Sequence, residues 1–359
     1  MKNYLLWTVL ILLTLVRTAV YFSSRPIYED GQHLKVTTRI WEEPRRNDHS
    51  QSFKIDDLII YLPKYPVVNY GDFVIIEGIV TGNQIKDPNL INHSASNNIL
   101  FSLRNNVIDF FQKGLPTPDS VLVSGMVLGS REGMTKEFWE SLVNTGTAHV
   151  VVASGMNVAL VGGFVLSFAT GLFERKKATW AAVGVVWVYA ILAGFDAPII
   201  RAGVMGSLVF FSQGLGRKAH TLRLLILTAL TMLLVKPSWL VDLGFVLSFI
   251  ATASLVLFGS KVDRLLSFVP KSLKIFKDGL STSLAAQIGV APILYFSFGQ
   301  FNPLSPFVNA VILWTVPFIT IIGMAAGIVG ILFEPLGRLI LFLTYPLTRW
   351  FIGVIEIIL

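Results

Sequence analysis

The chain has 359 residues, of which 53% are hydrophobic and 14% are charged, and its formal net charge is +7. Soluble globular domains carry about 25% charged residues, so this composition excludes an ordinary soluble domain and predicts a polytopic α-helical membrane protein. The chain has no cysteine, which excludes disulfides, a thiolate nucleophile and a zinc–thiolate site.

The first predicted element is an apolar helix at the start of the chain. Residues 4–22 contain Arg17 as their one charged residue, and the run is close to the ~20 residues that cross a bilayer. A cleaved signal peptide is the alternative, but no small-residue cleavage motif follows the run. We therefore expect an uncleaved transmembrane helix over residues 1–24, with Arg17 snorkelling or paired.

Residues 25–88 are predicted to form a small all-β domain. Runs rich in Ile, Val, Phe and Tyr alternate there with turn clusters, which is typical of antiparallel strands. About five strands in so short a segment indicate an OB-like barrel. Such barrels bind single-stranded nucleic acid, and the slight acidic excess of this domain favours a capping role instead. The residues available for nucleic acid are Arg39, Trp41, Arg45, Arg46 and Tyr61.

Residues 89–147 are predicted to hold a linker followed by short helices. The stretch 89–98 is rich in Asn and Ser, as linkers are. Residues 99–113 have the pattern of an amphipathic helix, with Arg104 on its polar side. Segments 120–128, capped by Asp119, and 135–145 are too short to span a bilayer, so we expect re-entrant or interfacial helices.

Residues 148–359 are predicted to form the transmembrane domain. With the N-terminal helix, the apolar runs give about nine transmembrane helices, and Pro317 breaks the run 303–333. The runs are 148–173, 178–194, 198–215, 220–236, 239–259, 279–299, 303–333 and 335–358.

Basic residues cluster in alternate loops of this domain. The positive-inside rule then places the N-terminus in the cytoplasm and the β-domain outside the cytoplasmic membrane. The cytoplasmic loops carry Arg175, Lys176, Lys177, Arg217, Lys218, Arg223, Lys261, Arg264, Lys271, Lys274 and Lys277.

Polar and small residues interrupt the apolar runs in four places. Polar side chains at membrane depth are costly and usually line a cavity or pair with another helix. We expect His149, Ser154 and Asn157 on one helical tract, beside an outer vestibule that includes the turn 300–309. The candidate path-lining residues are His149, Ser154, Asn157, Arg201, Asp242, Ser248, Gln287 and Asn309, and the candidate structural glycines are Gly155, Gly203 and Gly244.

Each of these groups also has a purely structural explanation. Arg201 could pair with Asp196 or Asp242, and His149 could be an ordinary core histidine. Small residues such as Gly203 commonly mark helix packing in membranes. No phosphate-binding loop, paired carboxylates or nucleophile–base pair occurs, so we expect neither an enzyme nor a bound cofactor. The five histidines are too scattered to predict a metal site.

Taken together, residues 115–314 resemble the membrane domain of the ComEC family, the channels that take up transforming DNA. The matching features are the approach from Gly146 to His149 and Gly155, the Arg201–Ala202 pair before Met205, the segment 244–249, and Gln287 with Asn309. The N-terminal helix and β-domain fit that family as well.

The chain departs from the family pattern in two places. The family commonly has histidine where this chain has Asn157, which puts a titratable or metal-binding role there in doubt. Many members also carry a C-terminal metallo-β-lactamase-like domain, whose histidine-rich motif does not occur in this sequence. Nuclease activity is therefore not expected of this chain.

The resemblance implies a channel for single-stranded DNA uptake during natural transformation. It also implies partners, namely an ATP-driven DNA translocase in the cytoplasm and DNA-binding competence proteins outside. A homo-oligomer is a further possible assembly that the sequence neither predicts nor excludes. The alternatives are a small-molecule or lipid transporter built on the same bundle, and a membrane anchor whose β-domain binds a partner.

Overall fold

The computed structural model describes residues 2–25, 28–46, 49–55, 58–96, 98–152, 154–214, 220–299 and 302–358. A first helix is followed by a β-domain and then by a long helical region. The helices are α1 (Lys2–Ser23), α2 (Ile99–Gly114), α3 (Asp119–Leu128), α4 (Lys136–Asn144), α5 (Ala148–Val151), α6 (Gly155–Leu172), α7 (Arg175–Leu192), α8 (Ala197–Gly214), α9 (Thr221–Val235), α10 (Leu243–Leu265), α11 (Lys274–Phe298), α12 (Ser305–Ile312), α13 (Thr315–Leu332), α14 (Glu334–Phe342) and α15 (Tyr345–Ile358).

The β-domain is a single six-stranded sheet around one apolar core. Its strands are β1 (His33–Arg39), β2 (Arg45–Arg46), β3 (Ser50–Ile55), β4 (Leu58–Pro63), β5 (Phe73–Thr81) and β6 (Gln84–Ser94), in the order β1-β5-β6-β4-β3-β2. All pairs are antiparallel except β4 with β6. The consecutive strands β1 and β2 thus lie at the two ends of the sheet order, which agrees with the OB-like barrel that the sequence predicts.

The last strand of this domain is longer than the sequence pattern indicates. Residues 89–94, assigned from composition to a linker, continue β6, where Asn92, His93 and Ser94 pair with β5. The strand is stabilised by pairing that its own polar composition does not reveal. His93 Nε2 also donates a 2.8 Å hydrogen bond to the carboxylate of the buried Asp72.

The helices α2, α3 and α4 are short, with 16, 10 and 9 residues. All ten residues of α3 are buried, so this helix lies inside the helical region rather than on a membrane surface. Asp119 does not cap α3, since Pro118 occupies the cap position. Its carboxylate instead accepts a 2.7 Å hydrogen bond from Thr348 and pairs with Arg349 of α15.

The β-domain is joined to the helical region by a buried ion pair. Arg104 of α2 is 2% exposed and lies 2.5 Å from Glu43, so the prediction that Arg104 is on the polar side of α2 is wrong. Arg104 also donates to the carbonyl groups of Leu128 and Leu192, at the ends of α3 and α7. Tyr70 donates to the carbonyl of Ile191. A second ion pair joins Arg46 to Glu132.

The described residues include four helical stretches long and apolar enough to cross a membrane, or five if the bent pair α14–α15 is counted. By length and composition, the described helices therefore provide fewer membrane spans than the nine that the sequence predicts. One reason is that α7 begins with three basic residues, and another is that α9 has only 15. The four stretches are Ala148–Leu172, which includes the break between α5 and α6, Leu243–Phe268, Lys271–Ser297 and Thr315–Leu332.

Three of the long apolar runs are interrupted, and the break in the run 335–358 separates α14 from α15. The expected single helical tract through His149, Ser154 and Asn157 is wrong, because α5 ends at Val151 and Ser154 has an extended backbone before α6 begins. The run 303–333 breaks just before Pro317, between α12 and α13, as expected. Arg217, Lys218 and Gln300, which entered the predicted topology and vestibule, lie outside the described residues.

Candidate functional site

Arg201 lies in the first turns of α8 and contacts two other helices. Its guanidinium donates to the hydroxyl of Thr252 on α10, and that hydroxyl donates to the carbonyl of Ser248 at 2.9 Å. On the other side it packs against the first residue of α6, since a Cβ added to Gly155 would lie 2.9 Å from Nη2. The structure therefore brings together three predicted site residues, Gly155, Arg201 and Ser248.

The charge of Arg201 has no acidic partner in the part of the chain that the structure describes. None of the ion pairs found there includes Arg201, and its buried Nε has no hydrogen-bond partner. Asp242 instead caps α10, where it accepts a 2.7 Å hydrogen bond from the backbone of Phe245. The explanation that Arg201 pairs with Asp196 or Asp242 is therefore wrong.

A second polar cluster joins α5, α11 and α12. His149 is exposed, and its Nδ1 donates to the carbonyl of Gly146 at 3.0 Å. The same carbonyl accepts from Ser305 at 3.4 Å, and the buried Asn309 donates to Ser305 and to Ser283. His149 and Asn309 thus lie in one hydrogen-bonded group.

Gln287 extends this second cluster along α11. Its amide donates to the carbonyl of Asn302 at 3.4 Å, and Asn302 donates to the carbonyl of Asn144 at the end of α4. Gln287 also lines an open groove of about 480 Å³ on α11, together with Leu284, Ile288, Ala291, Pro292 and Tyr295.

Asn157 stands apart from both clusters. It is 1% exposed, and its amide donates to the carbonyl of Met126 at the end of α3. Ser154 occupies the cap position of α6 without a side-chain capping bond. A Cβ on Gly203 would make only ordinary contacts with Val186 and Trp187. Gly244 lies beside the Asp242 cap.

Sequence reasoning missed two hydroxyl residues of these clusters. Thr252 follows Ser248 by one helical turn on α10, and Ser283 precedes Gln287 by one turn on α11. Residues four apart lie on the same helix face, so this spacing was the available signal. Hydroxyl residues are so common in membrane helices that the spacing alone does not single them out.

The surface around the β-domain joint carries opposed charges. Burial raises the pKa of Asp196, in the turn between α7 and α8, from 3.8 to about 6, and nearby Arg131 partly opposes this shift. Burial also raises the pKa of Glu42, which Lys236 partly opposes. Of the residues considered for nucleic acid, Arg46 is bonded to Glu132, and Arg39 lies 5.9 Å from the half-exposed ring of Trp41.

Metal binding has no visible candidate in this part of the chain. Among the described residues, no group of three or more His, Asp or Glu side chains is placed to hold a metal ion.

Comparison with known proteins identifies the family of the helical region. Residues 126–359 match the family model described as Competence protein. The chain is 26% identical over 235 residues to ComE operon protein 3 of Bacillus subtilis (strain 168), which covers 65% of this chain and 29% of that protein. It is 30% identical over 188 residues to an uncharacterized protein of Aquifex aeolicus (strain VF5), covering 51% of this chain and 41% of that protein.

The aligned part is thus less than half the length of either relative. No solved structure matches the chain. The family match covers most of the chain and includes α6, α8, α10, α11 and α12, which carry both polar clusters. The chain therefore belongs to the competence protein family, and the resemblance to ComEC is confirmed.

Proposed function

We propose that this chain forms a conduit for single-stranded DNA across the cytoplasmic membrane during natural transformation. Hydrocarbon excludes a polyanion, so the path of a DNA strand has to be lined by water and polar groups. Membership of the competence family and the apolar helices support this function. We place the N-terminus in the cytoplasm, the β-domain outside and about nine helices in the membrane, following the distribution of Lys and Arg.

The observation that carries the proposal is the unbalanced charge of Arg201. An ionised side chain in a membrane bundle is costly, and such residues usually pair with a partner or mark a substrate pathway. Among the described residues, the guanidinium of Arg201 contacts two neutral groups, the hydroxyl of Thr252 and, at 6.0 Å, the ring of Phe249. A phosphodiester group of the strand would supply the missing negative charge.

The second cluster suits repeated weak contacts with a moving strand. His149, Gln287 and Asn309 present groups that can exchange hydrogen bonds, and a conduit requires contacts weak enough to release its cargo. We assign Ser154, next to Gly155, and Ser248, whose carbonyl accepts from Thr252, to the same part of the path. Asn157 and Asp242 contribute to the path by holding α3 and α10 in place.

Energy for movement comes, in this proposal, from another protein. The sequence contains no phosphate-binding loop, so we assign strand pulling to an ATP-driven translocase in the cytoplasm. External DNA-binding proteins would deliver the strand.

The test is uptake of labelled DNA by a strain that lacks this gene and is complemented with variants. Arg201→Ala removes the cation, and we expect uptake to fall several-fold at an unchanged amount of membrane-inserted protein. Arg201→Lys keeps the charge and should retain part of the uptake.

Arg338→Ala is the matched control. It removes an exposed arginine that pairs with Glu334 within one helix, and it should leave uptake unchanged. Uptake by Arg201→Ala equal to that of the original protein would remove Arg201 from the pathway and leave the proposal without its main support.

A further inference from the structure

An apolar cavity, open on one side, lies among helices that take no part in the hydrogen bonds of either polar cluster. Its volume is about 370 Å³, and its walls come from α2, α3, α6, α7 and α13. This volume falls within the range of roughly 300–1,000 Å³ that is usual for ligand sites. Val127 and Val161 lie on its inner wall, and Ile328, Ile331 and Leu332 belong to α13.

The cavity is continuous with the surface that faces lipid. On α13, Ile328 is 67% exposed and Leu332 is 82% exposed, while Val127 on the inner wall is 2% exposed. Val188 of α7 is also exposed at this side. A bilayer covers such large apolar side chains on a membrane helix, so the mouth of the cavity opens towards acyl chains.

The polar groups in the wall are already bonded to the protein. The charge of Arg104 is balanced by Glu43, and its Nε donates to the carbonyl of Leu192. The hydroxyl of Tyr189 donates to the carbonyl of Val127 at 2.8 Å. The cavity therefore gives a polar or charged ligand nothing to bind, and its occupant has to be apolar.

We propose that the cavity binds one acyl chain of a membrane phospholipid, which enters between α7 and α13 and reaches Val127 and Val161. Water does not fill an apolar cavity, so the atoms that line an empty one lack dispersion contacts on one side. An acyl chain supplies these contacts and needs no hydrogen bond. The site is separate from the proposed DNA path.

The test uses the full chain in vesicles of phosphatidylethanolamine and phosphatidylglycerol that contain a phospholipid with a photoreactive diazirine in its acyl chain. After illumination, mass spectrometry locates the label along the chain. We expect label on Val127, which is 2% exposed, so that lipid outside the cavity does not reach it. The exposed residues Phe164 and Phe168 calibrate how much label a given exposed fraction acquires from lipid. We expect the label on Val127 to be several-fold higher than its own exposed fraction would give on that scale.

A filled-cavity variant checks the same site. Val161→Trp places an indole in the cavity and should reduce the label on Val127 and on 328–332 several-fold. Phe164→Trp is the control, since Phe164 is 73% exposed on the same helix, and it should leave that label unchanged.

Two results would overturn the proposal. One is label that follows surface exposure alone in the unaltered protein, a measurement that does not depend on whether Val161→Trp folds. The other is cavity label that persists in a folded Val161→Trp protein. Neither result bears on DNA uptake, so this proposal and the proposed function can fail independently.

Discussion

The position of the Arg201 guanidinium depends on the absence of a side chain at residue 155. Gly155 is the first residue of α6, and Nη2 of Arg201 lies only 2.9 Å from the place where its Cβ would be. The guanidinium is the far end of a long side chain, so it can be displaced without moving the backbone. The pair therefore allows the position of the charge to be changed while the charge itself is kept.

We predict that Gly155→Ala lowers DNA uptake several-fold while the thermal unfolding midpoint changes little. The added methyl group pushes the guanidinium away from α6, and alanine is tolerated in a helix at least as well as glycine. Uptake of labelled DNA and thermal unfolding of the purified protein measure the two effects.

Gly163→Ala is the matched control for this prediction. Gly163 lies on the same helix, and a Cβ there would meet nothing within 4 Å, so uptake should not change. Equal uptake by the two variants would show that the place of the guanidinium beside α6 has no role.

Asp196 gives a pH-dependent prediction. Burial raises the pKa of this carboxyl to about 6 in the folded protein, above its ordinary value of 3.8, so the folded state binds the proton more tightly than the unfolded state. The free energy of unfolding therefore loses a contribution as the pH rises from about 4 to about 6. Asp196→Asn removes this loss.

We expect Asp196→Asn to raise the unfolding midpoint more at pH 7.5 than at pH 4.5. Asp109→Asn, at an exposed position of α2, reports the general effect of removing one negative charge. A stabilisation by Asp196→Asn that is equal at both pH values, or is matched by Asp109→Asn, would contradict the assigned cause.

At the scale of elements, α3 is held at its C-terminal end by three neighbouring helices. The carbonyl groups of Met126, Val127 and Leu128 accept hydrogen bonds from Asn157 of α6, Tyr189 of α7 and Arg104 of α2. The last carbonyl groups of any helix lack partners within the helix. In a helix that is wholly buried, these side chains satisfy them.

We predict that Tyr189→Phe destabilises the protein by roughly 1–3 kcal/mol, the cost of leaving a buried acceptor unsatisfied. The phenyl ring still fills the space, so packing is kept. The free energy of unfolding in denaturant measures the effect. Tyr295→Phe, at a residue that is 60% exposed on α11, is the control and should cost much less.

The elements that the sequence predicts best are those with their own local pattern. The strands of the β-domain, the short helix α4 and the break before Pro317 follow from alternation, capping and proline. The environment of α3 does not, because α3 binds its neighbours through backbone carbonyl groups, which every residue type has. For the same reason Asn157 looks like a path residue in the sequence, whereas the structure bonds it to Met126.

The candidate site was predictable in part. Arg201, Gly155 and Ser248 are singled out by charge and small size inside apolar runs, and they do lie together. Their common neighbour Thr252 and the separation of the residues into two clusters depend on how α8 and α10 pack, which one sequence does not disclose. The ion pair of Arg104 with Glu43 joins residues 61 positions apart, so no local pattern predicts it.

At the scale of the whole molecule, the natural lack of cysteine makes the proposed orientation directly testable. Single substitutions Lys86→Cys, Lys176→Cys and Lys271→Cys introduce one thiol each, at exposed positions in β6, at the start of α7 and before α11. We expect a membrane-impermeant maleimide to label only the Lys86→Cys protein in intact cells.

All three variants should be labelled after the membrane is permeabilised, which controls for the reactivity of each thiol. Label on Lys176→Cys or Lys271→Cys in intact cells would reverse or break the proposed topology. Mass spectrometry of the purified protein measures the labelled fraction.

The hydrogen bonds at the end of α3 divide the helical region into two groups. They fasten α2, α6 and α7 to one another, whereas the contacts of α8 run to α6, α7, α9 and α10. If the bundle dilates to admit a nucleotide while those bonds persist, we expect α8 to be the helix that moves relative to α6. Arg201 of α8 packs against Gly155 of α6. A movement of α8 relative to α6 would therefore also shift the guanidinium that we propose binds the phosphate.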